Sequence, residues 1–180
     1  MLRITIPSVE LWDSKRREFI NTKEQTLQLE HSLVSLSKWE SKWCKPFLSK
    51  NPMTYEETID YVKCMTTTQN VDPEVYKYLT NENIIQVKEY IDAPMTATYV
   101  SEDKTAKRTG EQITAELIYY WMIAFNIPFE CQKWHLNRLL TLIRVCERKS
   151  KPPKKMSRKE RIEQMAAINE ARRKKYNTRG

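Results

Sequence analysis

Few residues in this chain have types and spacing that could support chemistry. Cys131 and His135 stand four positions apart in a segment of helical periodicity, so on one helix their side chains would meet. Such a pair could act as a thiolate with an imidazole, or as two metal ligands. However, the chain has no CxxC pair, and His31 is its one other histidine. Ordinary packing is the favoured interpretation, because a free cysteine behaves as a small buried hydrophobe.

Paired carboxylates are the second candidate for chemistry. Glu56 and Glu57 are adjacent, as are Glu102 and Asp103. Adjacent side chains do not face each other on a helix, and acids in a first turn complement the helix dipole. We therefore predict no catalytic residue, no cofactor and no metal.

The glycine content excludes several classes of site. The chain has two glycines, Gly110 and Gly180. A dinucleotide fingerprint, a phosphate-binding loop or a nucleophile elbow needs at least two glycines within a short window. None of these motifs can be present.

Tryptophans next to cations are the strongest candidates for binding. Trp39 and Trp43 lie one turn apart on a predicted helix, and Trp134 lies near cationic side chains. Packing in the core is the favoured interpretation of the first pair, and an aromatic patch that anchors a partner is the alternative. The same two interpretations apply to Trp134. The candidate partner-binding residues are Trp39, Trp43, Lys133, Trp134 and Arg138.

The basic charge is concentrated at one end of the chain. The net charge of +8 divides into −1 for residues 1–146, with 18 Lys/Arg and 19 Asp/Glu, and +9 for residues 147–180, with 13 and 4. This division predicts a near-neutral body and a tail that meets an acidic partner. The candidate residues of the tail are Lys154, Lys155, Arg158, Lys159, Arg161, Arg172, Arg173, Lys174 and Lys175.

The basic tail has three interpretations. It could be a solvated segment that keeps the protein soluble. It could contact the phosphates of a nucleic acid, although it lacks aromatic interleaving and a DNA-binding motif. It could also be a helix that docks on a protein through Ile162, Met165 and Ala166. We rank the protein partner above nucleic acid, because Ser157 and Glu160 form a capping-box pattern that favours a helix.

The elements that must position these residues are mostly helices. Capping signals at Thr54, Asp72-Pro73 and Thr80 start three of them, and apolar periodicity predicts others from Ser32, over 113–125, over 129–148 and after Ser157. Alternation predicts a strand near 2–6, with a strand near 18–21 as its candidate partner, and residues 27–29 are a further candidate for extended backbone. We expect a mainly α fold, with a compact helical domain over 1–148 that includes a small N-terminal β hairpin. A basic linker and C-terminal helix follow over 149–180.

Neither a signal peptide nor a membrane span is apparent. The apolar segment over residues 1–7 is too short for a signal sequence and is interrupted by polar residues. A membrane helix needs about 20 apolar residues, and no apolar run of the chain approaches that length. We expect an intracellular protein with four reduced cysteines and no membrane partner.

Several segments of the chain together resemble a family of small proteins of tailed bacteriophages and prophages, known as tail assembly chaperone-like. They are residues 29–33 (LEHSL), 39–43 (WESKW), 68–73 (TQNVDP), 118–121 (IYYW), 127–140 (IPFECQKWHLNRLL) and 177–180 (NTRG). The resemblance covers nearly the whole chain and carries no catalytic signature.

The resemblance implies a non-enzymatic protein of phage tail morphogenesis in the host cell cytoplasm. Its partners would be phage tail proteins, either the helical tape-measure protein or the tail-tube subunits. Two alternatives remain at this stage. One is a virion structural component of the tail or connector, and the other is a nucleic-acid-binding protein that acts through the basic tail.

Overall fold

The computed structural model describes residues 1–8, 10–13, 18–21, 23–49, 51–99, 112–150 and 157–177. Its strands are β1 (Leu2–Ile6), β2 (Glu10–Asp13), β3 (Glu18–Asn21) and β4 (Gln25–Leu29). Its α-helices are α1 (Leu33–Trp43), α2 (Tyr55–Met65), α3 (Asn81–Asp92), α4 (Ala115–Ala124), α5 (Leu136–Ser150) and α6 (Arg158–Tyr176). Two 3-10 helices cover Pro73–Tyr78 and Phe129–Lys133. The fold is mainly α, which confirms the predicted class.

The strands at 2–6 and 18–21 are present, but the prediction that they pair with each other is wrong. β1 pairs with β4, and β2 pairs with β3, both antiparallel. Between the pair Leu2–Leu29 and the pair Glu10–Asn21, the residue number rises by eight on one side and falls by eight on the other. The two ladders therefore have the same register, as in a single hairpin. Pairing with β4 sets Ile4 opposite Leu27 on a buried face. β4 places Leu27 and Leu29 on one side, and both are buried together with Ile4 and Ile6 of β1.

Most of the predicted helix starts are confirmed. Ser32, Thr54 and Thr80 each accept a hydrogen bond from the backbone three residues ahead, and α1, α2 and α3 follow them. Asp72 caps the 3-10 helix, in which Pro73 is the first residue. Helix starts of this kind can be predicted from the local sequence alone, because the capping side chain bonds to a backbone N–H only a few residues away.

The apolar side chains form two clusters that meet at α1. The first cluster joins the buried face of β1 and β4 to Trp39, α2 and α3. The second joins Leu33 and Leu36 to α4 and α5. α1 therefore contributes to both clusters, with Leu33 and Leu36 in one and Trp39 in the other.

A buried carboxylate ties α1 to α4. Glu40 Oε1 accepts the N–H of Phe47 at 2.7 Å, and its Oε2 accepts the N–H of Ala115 at 2.7 Å. Ala115 is the first residue of α4, where backbone N–H groups are free and the helix dipole favours a negative charge. The carboxylate thus fixes the start of α4 against α1.

The two predicted C-terminal core helices are shorter than expected. α4 begins at Ala115, after Thr114 as its cap, and not at residue 113. The segment predicted as one helix over 129–148 is a 3-10 helix followed by α5. Trp134 separates them with an extended backbone (φ −71°, ψ 161°). The two α-helices still share the second apolar cluster.

The chain divides into two compact units, Met1–Glu147 and Arg148–Gly180. α6 is the described helix of the second unit, and its described side chains are all exposed. Among the described helices, none has the length and hydropathy needed to cross a bilayer.

Candidate partner-binding surface

Trp39 belongs to the core and not to a binding surface. Its side chain is 2% exposed, and its indole N–H donates to the carbonyl of Glu57 at 3.0 Å. The rings of Phe47 and Tyr61 meet it edge-on, with centroids 5.3 and 6.5 Å away. The favoured interpretation as core is confirmed, and Trp39 must be removed from the candidate partner-binding residues. The apolar stripe of α1 is buried, because Trp39 packs in the first apolar cluster while Leu33 and Leu36 pack in the second.

Trp43 is half-buried and stands at the edge of the same aromatic cluster. Its ring stacks on Trp39 with a centroid distance of 6.2 Å. Its indole N–H donates to Asp60 Oδ2 at 2.9 Å. The ammonium groups of Lys42 and Lys45 each lie 5.8 Å from a Trp43 ring centroid, a distance at which a cation is attracted to the ring face. Trp43 is therefore held in one orientation, with part of its surface open to solvent.

The carboxylates next to Trp43 are paired. Asp60 also accepts a hydrogen bond from Lys42. Partial burial by itself raises the pKa of Asp60, but the hydrogen bonds from Lys42 and Trp43 outweigh it and lower that pKa below its ordinary value. These contacts make Asp60 a structural acceptor for α1.

Glu57 is paired in the same way. Its Oε1 lies 2.5 Å from Lys45, and its Oε2 accepts the N–H of Thr54 at 2.8 Å. The hydrogen bonds from Lys45 and Thr54 lower the pKa of Glu57. The interpretation of this acid as a first-turn helix cap is confirmed.

A groove of about 610 Å³ opens beside Trp43. Its apolar and aromatic lining includes Ile59, Tyr55 and Tyr76, and its cations include Lys42 and Lys63. The Lys63 ammonium lies 5.6 Å from the centroid of the Tyr76 ring. We call this feature the Trp43 groove. It combines a fixed indole, apolar walls, the ammonium groups of three lysines and the carboxylates of Glu56, Asp60 and Glu74.

The other predicted binding residues lie around the start of α5. Trp134 is half-buried against the second apolar cluster, and the guanidinium carbon of Arg138 lies 4.2 Å from the centroid of its ring. Lys133 and Arg138 are exposed. This stack presents a cation over an aromatic face, although the residues here and those of the Trp43 groove belong to different apolar clusters.

The predicted stacking of Cys131 and His135 on one helix is wrong. Cys131 lies in the 3-10 helix, and the extended backbone of Trp134 ends that helix before His135. Cys131 is buried within the second apolar cluster, as the packing interpretation expects. Among the described residues, no group of three or more His, Cys, Asp or Glu side chains could hold a metal ion.

The structure instead brings His135 to His31, a pairing that the sequence did not predict. Their ring centroids are 5.0 Å apart, and the N–H of Leu136 donates to the carbonyl of His31 at 2.8 Å. His31 Nδ1 hydrogen-bonds the Tyr61 hydroxyl at 2.5 Å. His135 Nε2 donates to the carbonyl of Tyr90 at 3.0 Å. We call these two residues the histidine pair.

The histidine pair is neutral at pH 7. Burial, with a smaller contribution from the like charge of His135, lowers the pKa of His31 to about 3. Burial also lowers the pKa of His135, although the hydrogen bond to the Tyr90 carbonyl and the charge of Glu30 oppose it. Burial raises the pKa of Tyr61, so its phenol stays protonated. The pair therefore joins the segment between β4 and α1 to the residue just before α5, and nothing in the local sequence of either histidine indicates it.

The basic tail residues fall into two groups. Lys154 and Lys155 lie outside the described residues. The other seven lie on α6 and are exposed: Arg158, Lys159, Arg161, Arg172, Arg173, Lys174 and Lys175. Lys174 pairs with Glu170 at 2.8 Å one turn away. The apolar residues Ile162, Met165 and Ile168 are exposed on the same helix, so α6 offers both apolar and cationic surface.

Comparison of the chain with protein-family models, curated proteins and solved structures finds no match. Its chemistry must therefore be argued from its own side chains. Of the carboxylates that line the Trp43 groove, Asp60 pairs with Lys42, Glu74 pairs with Lys77, and Glu56 is exposed. The histidine pair is buried and neutral. What the groove offers to another molecule is shape, apolar contact and charged groups, with ammonium groups next to the indole.

Proposed function

We propose that this chain is a non-enzymatic interaction protein of bacteriophage tail morphogenesis, tail assembly chaperone-like in role, that binds a helical partner such as the tape-measure protein. The phage context comes from the family resemblance. The observation that carries the binding role is the Trp43 groove, in which a partly open indole is held between ammonium groups and apolar walls.

The groove is suited to receive an apolar side chain projecting from a partner. Trp43 is already oriented by its stacking on Trp39 and its hydrogen bond to Asp60. Little side-chain entropy is therefore lost when a partner contacts it. Tryptophan and tyrosine contribute a large share of binding energy at protein interfaces, because they bury a large area with few rotatable bonds.

The charges next to the indole favour a partner with acidic groups near its apolar anchor, while Glu56 lines another part of the groove. Lys42 and Lys45 reach over the indole and are more than half exposed, while Asp60 and Glu57 are nearly buried. The solvent side of both ion pairs is therefore cationic. A partner carboxylate could approach the ammonium groups without removing the buried acids from their hydrogen bonds.

Co-expression with the tape-measure protein of the same phage tests the proposal. We expect the intact chain to co-purify with that protein and to increase its soluble fraction. Trp43→Ala with Tyr55→Ala should weaken the complex by at least about tenfold, because both changes remove aromatic contact area. Ile85→Ser, which changes an exposed isoleucine of α3, is the matched control and should have no effect.

A failure of the intact chain to co-purify with the tape-measure protein or to improve its solubility would contradict the proposal.

Mass spectrometry of purified phage particles distinguishes an assembly factor from the alternative of a virion structural component. An assembly factor should be absent from particles, whereas a tail or connector component should be present in a fixed copy number.

A nucleic-acid-binding role is the second candidate, favoured by the exposed cations of α6. Arg172, Arg173, Lys174 and Lys175 follow one another at its C-terminal end. Phosphate contacts would make the affinity fall steeply with salt. Removal of residues 151–180 should then abolish binding to a duplex, and binding that survives this deletion would contradict the role of the tail.

A further inference from the structure

α4 has one buried side and one apolar side that faces solvent. Ala115, Ile118 and Met122 are fully buried in the second apolar cluster. Tyr120 and Ile123 lie on the other side of the helix and are 63% and 62% exposed. Glu116 is the one charged residue of α4, so most of the surface of the helix is apolar or aromatic. The structure leaves much of that surface uncovered.

Phe129 extends the exposed surface beyond α4. Its ring lies 6.5 Å from the ring of Tyr119, and its side chain is 52% exposed. Tyr119 precedes Ile123 by one helical turn, so Phe129 borders the same side of α4. The Tyr119 hydroxyl donates to Gln132 Oε1 at 2.9 Å and fixes the 3-10 helix next to α4. Tyr120, Ile123 and Phe129 form the surface that we call the α4 face.

The charges near the α4 face are mainly negative. Glu116 lies one turn before Tyr120 and is exposed, and Glu130 follows Phe129 and is also exposed. α4 contains neither lysine nor arginine. Lys133 is the one cation of the neighbouring 3-10 helix. A ligand that covers the apolar residues would therefore meet more negative than positive charge at their margin.

We propose that the α4 face binds an amphipathic helix of a partner protein, with lysine or arginine next to its apolar stripe. A helix fits because its own apolar residues recur along one side, as Tyr120 and Ile123 do on α4. Cationic flanks fit because Glu116 and Glu130 border the apolar residues and would attract them. The inference deepens the proposed function, since it names a second surface and the chemistry of the helix that it takes. It does not depend on the partner being a tape-measure protein.

Two synthetic helices test the charge and the apolar contact separately. Both carry the same isoleucine stripe over about five turns. One has lysine and the other has glutamate at the positions next to the stripe. Fluorescence anisotropy of each labelled peptide is measured with the full-length protein at low and high salt.

We expect the lysine peptide to bind at least about fivefold tighter than the glutamate peptide at low salt, with a smaller difference at high salt. Ile123→Ser with Phe129→Ser should weaken the lysine peptide by at least about tenfold. Glu116→Gln with Glu130→Gln should remove the preference for lysine and keep the apolar contribution. Ile85→Ser is the control for loss of an exposed isoleucine, and circular dichroism confirms that each variant is folded.

Equal binding of the two peptides, or no binding of the lysine peptide, would overturn the proposal. Binding that Ile123→Ser with Phe129→Ser leaves unchanged would also overturn it. A concentration-dependent dimer, detected by analytical ultracentrifugation, would also overturn the proposal if Ile123→Ser with Phe129→Ser dissociates it and the lysine peptide does not. A second copy of the protein would then cover the α4 face. The Trp43→Ala and Tyr55→Ala variant should bind the lysine peptide normally, so failure here is distinguishable from failure at the Trp43 groove.

Discussion

At the scale of the residue, the buried polar side chains determine how the two apolar clusters join. His31, Glu40 and His135 are each less than a tenth exposed, and each has a defined hydrogen-bond partner. Among the described residues, no buried side-chain nitrogen or oxygen lacks such a partner. Because an unpaired buried polar group is costly, these contacts favour one arrangement of the elements over others.

The histidine pair predicts acid sensitivity. Burial lowers the folded pKa of His31 from 6.5 to about 3 and lowers that of His135 in the same direction. At a pH between the folded and the unfolded pKa of a histidine, the unfolded chain binds more protons at that residue than the folded protein does. The free energy of unfolding is therefore highest above about pH 6.5 and falls as the pH decreases, by up to about 1.4 kcal/mol per pH unit for each histidine.

Urea denaturation between about pH 6.5 and pH 5 measures this effect, because carboxylates with ordinary pKa values stay ionised over that range. His31→Gln should reduce the slope of the free energy of unfolding against pH by up to about 1.4 kcal/mol per pH unit, which corresponds to one proton. This change in slope is expected whatever the effect of the substitution on absolute stability. A stability that is independent of pH over this range would show that the histidines are not buried in their neutral form.

Removing the charge of Glu40 should destabilise the fold. Glu40→Gln leaves an amide group facing two backbone N–H donors, of which it can accept one with its oxygen. We expect a loss of about 1–3 kcal/mol in the free energy of unfolding, measured by urea denaturation. Glu82→Gln, which changes an exposed glutamate of α3, is the control and should stay within about 0.5 kcal/mol of the native chain.

At the scale of the element, α1 is the helix on which both clusters depend. Leu36 and Trp39 are both buried but belong to different clusters. The boundaries of α1 follow from local signals, namely the reciprocal hydrogen bonds of Ser32 and Ser35 at its start and the left-handed Cys44 at its end. Local chemistry therefore sets the length of this helix, and long-range packing determines what each of its faces meets.

Leu36→Ala should destabilise the whole first unit and not the second cluster alone. The free energy of unfolding is expected to fall by about 2–5 kcal/mol. The substitution would leave a cavity at the place where α1 packs against α4 and α5. The near-ultraviolet and far-ultraviolet circular dichroism transitions should coincide and shift together. Separate transitions for the two signals would show that the clusters unfold independently, contrary to the role given to α1.

The sequence predicts elements well where the signal is local. Thr54, Asp72 and Thr80 mark helix starts, because a capping side chain bonds to backbone within a few residues. The partner of β1 was wrong, because strand pairing depends on which distant segment buries a complementary face. The sequence does not predict the histidine pair for the same reason, since His31 and His135 are 104 positions apart and meet only in the folded chain.

Binding surfaces were predicted in part. Tryptophan spacing identified Trp39 and Trp43 together, but periodicity cannot tell which of two residues on a helix a neighbouring element will cover. The structure buries Trp39 and leaves Trp43 at a groove. The α4 face was missed, because a helix that is apolar on all sides is typical of a central position.

At the scale of the whole molecule, a folded first unit is followed by a second unit that contains α6. Each described side chain of α6 is exposed, and its basic residues account for much of the net charge. Removal of residues 151–180 should change the Tm of the first unit by less than about 2 °C, because the described side chains of α6 are exposed. Differential scanning calorimetry measures this, and a fall of more than about 5 °C would show that the tail stabilises the body.

We propose that this protein acts by binding, with the Trp43 groove as its main contact. The most direct test is the affinity of the purified full-length chain for a helical fragment of the tape-measure protein, measured by isothermal titration calorimetry. We predict saturable binding that Trp43→Ala with Tyr55→Ala weakens at least about tenfold and that Ile85→Ser leaves unchanged. No binding by the native chain, or equal affinity for the native chain and the Trp43 variant, would contradict the account.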